Sequence, residues 1–275
     1  MRGLSGNTAI VTGGSSGIGQ AIAIRLGEEG VNVAVNYVGP MEGATATREA
    51  VEAGANACVE AVNACQASSR GFLVEADVSD EASVQRMFAD VRREFGTVDF
   101  LVNNAGIQIA QNSDLLDATA FDRVLTVNLR GSFLCAKEHI SQLLGDDREG
   151  AIVNVSSVHQ LIPKPKFLGY SVSKGGMQNL TRTLALEYAD RGIRVNAIGP
   201  GATVTPINRA WVEDPEKRAL VTAHIPMGRA GDAEEMAATT AFLLSDDAGY
   251  ITGQTIFVDG GLTLYNDFRG TWSSE

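Results

Sequence analysis

A serine, a tyrosine and a lysine near the middle of the chain have the residue types and the spacing of a proton-transfer site. Tyr170 and Lys174 are four positions apart, and Ser157 precedes the tyrosine by thirteen. On a helix, residues four positions apart share one face. An ammonium group near a phenol favours the phenolate, and a serine hydroxyl can hold the oxygen of an alcohol. The three residues could therefore take a proton from an alcohol, although a tyrosine and a lysine at this spacing are also common on exposed helix faces.

The residues around this trio predict the elements that would bring it together. The apolar run 151–155 predicts a strand that ends at Ser157. Pro163, Pro165 and Gly169 interrupt regular structure, so a loop should follow the strand and a helix should begin near Gly169.

Similar strands and helices alternate along the whole chain. The predicted strands are 8–11, 31–36, 71–76, 98–102, 151–155, 193–198 and 255–258. The predicted helices are 20–29, a long or broken helix over 41–69, 82–95, 121–144, 170–189 and 234–245. This alternation predicts an α/β fold with a parallel sheet and right-handed crossovers.

The chain shows no repeat, linker or low-complexity tract, so we expect a single domain over 1–275. The proline-containing segment 203–229 is long for a connection in a compact domain, which predicts a lid over a substrate. Residues 262–275 are expected to form a C-terminal tail.

A glycine-rich turn joins the first strand to the first helix. Residues 12–19 read TGGSSGIG, with glycines at 13, 17 and 19 rather than in a strict G-x-G-x-x-G pattern. Strand, glycine turn and helix is the context in which a backbone binds phosphate, although an ordinary turn can look the same.

The end of the second strand bears on which dinucleotide such a turn would bind. An acidic residue there would bind the ribose hydroxyls of NAD. This chain has Asn36, followed by Tyr37 and Val38. Asparagine can hydrogen-bond to a hydroxyl or to a phosphate, so NAD and NADP both remain open.

Asn128 interrupts an otherwise apolar helical stretch. A polar side chain among apolar neighbours is expected to be buried and to need hydrogen-bond partners. A structural bridge to the backbone and a functional role are both consistent with this pattern.

Composition and charge exclude several classes of protein. The 275 residues carry a formal net charge of −11, which argues against nucleic acid or an anionic membrane as partner. No apolar run is long enough to span a bilayer, and the N-terminal run is too short for a signal peptide. Three cysteines without CxxC spacing and three scattered histidines predict neither a disulfide framework nor a metal site, so we expect a cytoplasmic protein.

Taken together, these motifs resemble the classical short-chain dehydrogenase/reductase family over essentially the whole chain. The motifs follow the family's order and spacing: TGGSSGIG at 12–19, NNAG at 103–106, Asn128 within a helix, Ser157, Tyr170, Lys174, and PG at 200–201. The resemblance implies a single Rossmann-like, doubly wound α/β domain with helices on both faces. Its seven-stranded parallel sheet would have the order 3-2-1-4-5-6-7, with NAD or NADP across the carboxyl ends of the strands.

The resemblance also implies a role for each catalytic residue. Tyr170 would be the general base and Ser157 would hold the substrate oxygen. Lys174 would lower the pKa of the phenol and hold the nicotinamide ribose, and Asn128 would anchor a water molecule that passes the proton outward. The substrate contacts would come from Ser157, Tyr170, His159 and Gln108.

Cofactor contacts are implied for the residues that follow the strands. They are Gly13, Ser15, Ser16, Gly17, Ile18, Gly19, Asn36, Tyr37, Asp77, Val78, Asn104, Ala105, Gly106, Tyr170, Lys174, Pro200, Gly201, Thr203 and Thr205.

Within the family, residues 154–177, 184–208 and 225–237 resemble the bacterial glucose 1-dehydrogenases. This implies oxidation of an aldose at C1, such as glucose to gluconolactone. The chain departs from that group in three places: Gln108 replaces the usual glutamate, Lys164 and Lys166 replace bulky apolar residues, and the segment 38–70 is longer than in the Bacillus-type enzymes.

Other functions remain open beside this one. A 3-oxoacyl-carrier-protein reductase, or a steroid, polyol or other alcohol dehydrogenase, would carry the same family motifs. A cofactor-sensing protein without turnover usually lacks the tyrosine or the lysine, and both are present here. The resemblance further implies a homotetramer, with contacts through the helix 170–189 and the segment around 258–261.

Overall fold

Seven parallel strands form the central sheet of the computed structural model, which describes residues 1–39, 48–65 and 69–264. In chain order they are β1 Thr8–Val11, β2 Asn32–Tyr37, β3 Gly71–Glu75, β4 Phe100–Asn103, β5 Gly150–Val155, β6 Ile193–Pro200 and β7 Thr255–Val258. They lie side by side in the order β3-β2-β1-β4-β5-β6-β7. This confirms the expected order, and each strand lies within two residues of its predicted bounds.

Helices cover both faces of this sheet. Those of the described residues are α1 Gly17–Glu28, α2 Arg48–Cys65, α3 Glu81–Phe95, α4 Ala118–Leu125, α5 Gly131–Gly145, α6 Leu168–Tyr188, α7 Arg209–Val212, α8 Pro215–Ala223 and α9 Ala233–Leu244. Helices α1, α2 and α9 pack on one face, and α3, α5 and α6 pack on the other. None of the described helices is both long enough and apolar enough to cross a membrane.

The strands bury residues on both faces of the sheet. Along β1, Ala9 and Val11 belong to the core beneath α1, α2 and α9, whereas Ile10 belongs to the core beneath α3, α5 and α6. Because successive strand residues point to opposite faces, a sheet covered on both sides needs nearly continuous apolar runs. The apolar runs that predicted the strands are thus a consequence of burial on two sides.

The strand order reverses between β1 and β4, which are neighbours in the sheet. The chain fills the sheet outward from β1 through β2 to β3 and then returns to the other side of β1 with β4. Connections that leave such a point in opposite directions open a crevice at the carboxyl ends of the strands. Thr12 and Asn104, which follow β1 and β4, meet there, since the Asn104 N–H donates to Thr12 Oγ1 at 2.9 Å.

The helix predicted over 121–144 is observed as two helices joined by a π-helical turn. Residues Thr126–Arg130 form this turn between α4 and α5, and Asn128 lies at its centre, fully buried. A π turn adds one residue to a helical turn and often marks a functional site. Over so short a stretch, the apolar residues of a π turn are spaced almost as they are in an α-helix. The sequence therefore predicted the helix but not the π turn.

Two further predictions fall partly outside the described residues. The helix expected over 41–69 is present as α2, and residues 40–47 and 66–68 are not described. The C-terminal tail is described only to residue 264. The segment 203–229 is described, and it contains a 3₁₀ turn at Pro206–Asn208 followed by α7 and α8.

A buried histidine in α5 has a consequence for stability at acid pH. His139 is fully buried, its ring centroid lies 6.3 Å from that of Phe88, and neither ring nitrogen has a hydrogen-bond partner among the described residues. Burial lowers the pKa of His139 from 6.5 to about 3. The unfolded chain therefore binds a proton below pH 6.5 that the folded protein does not, and stability falls as the pH decreases from 6.5 towards 3.

We expect the free energy of unfolding to fall by ~2 kcal/mol more in the wild type than in a His139→Leu variant between pH 7 and pH 5. Urea unfolding of both proteins at the two pH values, at one protein concentration, measures this difference. If both proteins lost stability in parallel, a neutral buried imidazole would not be the cause.

Candidate active site

The turn between β1 and α1 has a backbone that fits a phosphate group. Gly13 and Gly17 have left-handed backbones, with φ of 62° and 55°, which a side chain would strain. Helix α1 begins at Gly17, and the side chain of Ser16 at its N-cap does not bond to the N–H groups of the first turn. Uncapped N–H groups at the positive end of a helix dipole favour an anion. This turn is therefore suited to the pyrophosphate of a dinucleotide.

Gly19 serves the packing of this turn. A Cβ at this position would lie 2.4 Å from both Asn104 Nδ2 and Gly13 O. Asn104 Nδ2 donates to Thr12 O at 2.9 Å and to Gly13 O at 3.0 Å, which fastens the loop after β4 to the glycine turn. Gly19 leaves room for these bonds and does not itself line the cavity described below.

Asn36 lines the cavity, but its side-chain amide bonds to neighbouring backbone. Nδ2 donates to the carbonyl oxygens of Tyr37, Val74 and Ala76 at 3.0–3.3 Å, and Oδ1 accepts from the Gly13 N–H at 3.3 Å. The amide thus holds the ends of β2 and β3 against the glycine turn. Tyr37 is buried and does not line the cavity.

Asn128 bridges to the backbone, which is one of the two roles that the sequence left open for this residue. Its Oδ1 accepts from the Ile107 N–H at 2.8 Å, and its Nδ2 donates to Ile107 O at 2.9 Å and to Ser173 Oγ at 3.1 Å. Ser173 Oγ in turn donates to the Tyr170 carbonyl at 2.7 Å. Asn128 therefore ties the loop after β4 to the first turn of α6, from a position outside the cavity lining.

The predicted trio converges as its spacing suggested. Ser157 follows β5, and Tyr170 and Lys174 lie on one face of α6. Ser157 and Tyr170 line the same cavity, where the Ser157 hydroxyl acts to lower the pKa of the Tyr170 phenol. Lys174 Nζ lies 5.5 Å from the centroid of the Tyr170 ring and donates to Val155 O at 2.7 Å. The carbonyl bond fixes the ammonium of Lys174 between the end of β5 and the phenol.

Burial changes the proton affinities of this trio. It lowers the pKa of Lys174 to about 8, because a charged ammonium is poorly solvated there. Burial also raises the pKa of the Tyr170 phenol, and the Ser157 hydroxyl acts in the opposite direction. The expected lowering of the phenol pKa is thus not achieved by the protein alone, because desolvation outweighs the effect of Ser157.

His159 lies beside this trio, and a hydrogen bond to the backbone defines its tautomer. Its Nδ1 lies 2.9 Å from Ile162 O and can bond to it only as a donor, which leaves Nε2 as an acceptor. Its ring packs edge-on to that of Tyr170, with 6.1 Å between centroids. Burial lowers the pKa of His159, so the imidazole is neutral near pH 7. A neutral acceptor at this place suits a substrate hydroxyl.

These groups surround a cavity of about 910 Å³ at the carboxyl ends of the strands, a volume within the range of ~300–1,000 Å³ typical of ligand sites. Of the predicted site residues, all but Gly19, Tyr37 and Asn128 line it: Gly13, Ser15, Ser16, Gly17, Ile18, Asn36, Asp77, Val78, Asn104, Ala105, Gly106, Gln108, Ser157, His159, Tyr170, Lys174, Pro200, Gly201, Thr203 and Thr205. The residues expected to contact a dinucleotide therefore line one cavity, from the glycine turn to Tyr170.

The structure adds residues that sequence reasoning missed. Trp211 of α7 and Val221 of α8 line the cavity, so the segment 203–229 forms one of its walls. Thr12 Oγ1 accepts from the N–H groups of Asn104 and Ala105 and joins the ends of β1 and β4. Ser173 could have been noticed as a polar residue within the Tyr170–Lys174 turn, whereas nothing in the sequence pattern indicated Trp211.

Within residues 1–39, 48–65 and 69–264, no group of three or more His, Cys, Asp or Glu is placed to hold a metal ion.

Comparisons with known proteins agree with this geometry. Residues 13–263 match a family model described as "Enoyl-(Acyl carrier protein) reductase". The chain is 48% identical over 266 residues to 3beta-hydroxysteroid dehydrogenase 1 of Eggerthella lenta, which covers 97% of each chain. It is 46% identical over 271 residues to a glucose 1-dehydrogenase of Gluconobacter oxydans, covering 98% of this chain and 97% of that one.

A solved structure has the same fold over nearly the whole chain. Levodione reductase superposes with a TM-score of 0.84 at 35% identity, covering 95% of this chain and 99% of that one. Because the family model and these full-length relatives match nearly the whole chain, the protein belongs to the short-chain dehydrogenase/reductase family of oxidoreductases.

Proposed function

We propose that the protein is an NAD(P)-dependent dehydrogenase that oxidises C1 of an aldose, glucose to gluconolactone, with Tyr170 as the general base. The observation that carries the proposal is the convergence of Ser157, Tyr170 and Lys174 on one cavity with the glycine turn. The name of the Gluconobacter oxydans relative supports the sugar assignment, as does the neutral acceptor of His159 beside the phenol.

Tyr170 would take the proton of the C1 hydroxyl while Ser157 holds the same oxygen. Bound NAD(P) would supply the hydride acceptor and, when oxidised, a positive charge near the phenol. Lys174 would add its own positive charge, and the bond to Val155 O keeps that charge beside the ring. The phenol pKa, which burial raises, would then fall towards the working pH.

Cofactor contacts are proposed for the predicted cavity-lining residues from Gly13 to Thr205. Gly19 and Tyr37 would support them without lining the cavity. Asn128 would hold the π turn and Ile107 in place, and its predicted role of anchoring a proton-relay water stays a proposal. The segment 203–229 would act as the lid, because α7 and α8 contribute Trp211 and Val221 to the cavity wall.

We also propose a cytoplasmic homotetramer. The three cysteines, Cys58, Cys65 and Cys135, are free thiols, which supports a reducing compartment. Phe133 of α5 and Leu186 of α6 are exposed apolar residues on two helices that cover the same face of the sheet, and apolar side chains exposed in this way support an interface between copies. Light scattering in solution would measure the mass of the assembly.

A substrate panel tests the proposed reaction. Initial rates of cofactor reduction would be measured with glucose, galactose and xylose, each with NAD and NADP. The proposal expects glucose turnover with at least one cofactor, and the ratio of the two rates gives the cofactor preference. Absence of glucose turnover, together with reduction of a 3-oxoacyl thioester or oxidation of a 3β-hydroxysteroid, would assign the chain to another branch of the same family.

A further inference from the structure

Lys164 lies in the loop between β5 and α6, the segment that joins Ser157 to Tyr170. It lines the active-site cavity, and its Nζ lies 4.3 Å from the centroid of the Phe167 ring. Phe167 is the residue immediately before α6, the helix that carries Tyr170. The ammonium of Lys164 is therefore held next to the start of the helix that presents the proposed base.

The loop that carries Lys164 is fixed at both ends. The Phe167 N–H donates to Lys164 O at 3.2 Å, which closes a turn over Lys164–Phe167. Lys166 has a left-handed backbone with φ of 70°, and its carbonyl accepts from the Gln111 N–H at 2.8 Å. A non-glycine residue holds such a backbone only where its surroundings enforce it. The position of Lys164 is thus determined by the loop.

The charge of Lys164 has no counter-charge within the described part of the chain. Lys137 pairs with Glu81 at 2.7 Å and Lys217 with Asp214 at 2.9 Å, whereas the Lys164 ammonium lies over the aromatic face of Phe167. Lys164 is exposed to solvent at the cavity, and desolvation lowers its pKa with no carboxylate beside it to oppose the shift. An unpaired cation that faces a binding cavity favours an anionic ligand.

We propose that Lys164 binds a carboxylate or phosphate group of the substrate, so that the substrate is an acidic aldose such as an aldose phosphate or a hexuronate. This inference rests on the proposed function, because it takes the reacting alcohol to lie at Ser157 and Tyr170. His159, whose ring packs against Tyr170, and Lys164 both line the cavity that contains this position. A hydroxyl-rich acid engages both, and an uncharged sugar engages only the first.

Binding to a catalytically inactive holoenzyme tests this without requiring turnover. Calorimetric titration of the NAD(P)-loaded Tyr170→Phe protein would use glucose, glucose 6-phosphate and glucuronate as probes. We expect at least one of the two anionic probes to bind about tenfold or more tightly than glucose. Adding Lys164→Met should remove this difference, Lys164→Arg should retain most of it, and Lys137→Met, which changes a lysine outside the cavity, should not alter it.

The two anionic probes distinguish a phosphate from a carboxylate as the favoured group. Equal affinities for all three probes, an unchanged preference in Lys164→Met, or no binding by either anionic probe would overturn the inference. The rates of the unmodified enzyme test the proposed function separately. A preference for the acid that depends on Lys164, without sugar turnover, would preserve the inference and reject the reaction.

Discussion

Replacing Tyr170 by phenylalanine should lower kcat by about 10³-fold while leaving cofactor binding nearly unchanged. The variant loses only the phenolic oxygen and retains the ring that packs against His159. If this oxygen is the base, the alcohol retains its proton and hydride transfer is blocked. The glycine turn that would hold the pyrophosphate lies at β1 and α1 and is not touched.

Steady-state rates and fluorescence titration with the cofactor measure the two effects. Tyr250→Phe makes the same chemical change at a fully exposed position outside the cavity and should have full activity. A Tyr170→Phe enzyme with wild-type kcat would exclude the general-base role. Loss of cofactor binding in parallel with kcat would show that the phenol is structural.

Replacing Lys174 by methionine should lower kcat by about 10²-fold or more near pH 7, with partial recovery as the pH rises. The lysine is only 3% exposed, and methionine keeps a side chain of similar length in its place. Burial already raises the pKa of Tyr170, and removal of the neighbouring ammonium raises it further. The phenolate, which the oxidation needs, then forms only at higher pH, so the rate profile shifts in that direction.

The pH dependence of kcat in the oxidative direction distinguishes this from a loss of structure. Lys174 itself has its pKa lowered to about 8, so the comparison with wild type is clearest below that pH, where the lysine is charged. Lys137→Met, on the surface of α5, is the matched control and should leave the profile unchanged. A lower rate with an unshifted profile would mean that Lys174 positions groups without activating the phenol.

The strands and the reactive trio could be predicted because each depends on a pattern of residues that are near one another in the sequence. Burial on both faces requires apolar runs such as residues 8–11, and one helical turn between Tyr170 and Lys174 fixes their common face. The glycine turn is equally local, since Gly13 and Gly17 have left-handed backbones that favour glycine.

The features that sequence reasoning missed depend on contacts between distant segments. The π turn around Asn128 is tied to Ile107, 21 positions away in the chain. Asn36 lines the cavity, and the sequence did not indicate that its amide also bonds to the carbonyls of Val74 and Ala76 at the end of β3. Trp211 lines the cavity because of where α7 lies in the fold, and no periodicity in the sequence indicates that placement.

Transfer of deuterium from the substrate to the cofactor tests the central claim most directly. The enzyme would be incubated with C1-deuterated glucose and oxidised cofactor in ordinary water, and the reduced cofactor would be analysed by mass spectrometry. We expect one deuterium in the reduced cofactor that the wild type and Tyr250→Phe form. In Tyr170→Phe we expect the same product to form more slowly, by the factor by which kcat is reduced. Reduced cofactor without deuterium, or deuterated cofactor formed at the wild-type rate by Tyr170→Phe, would contradict this claim.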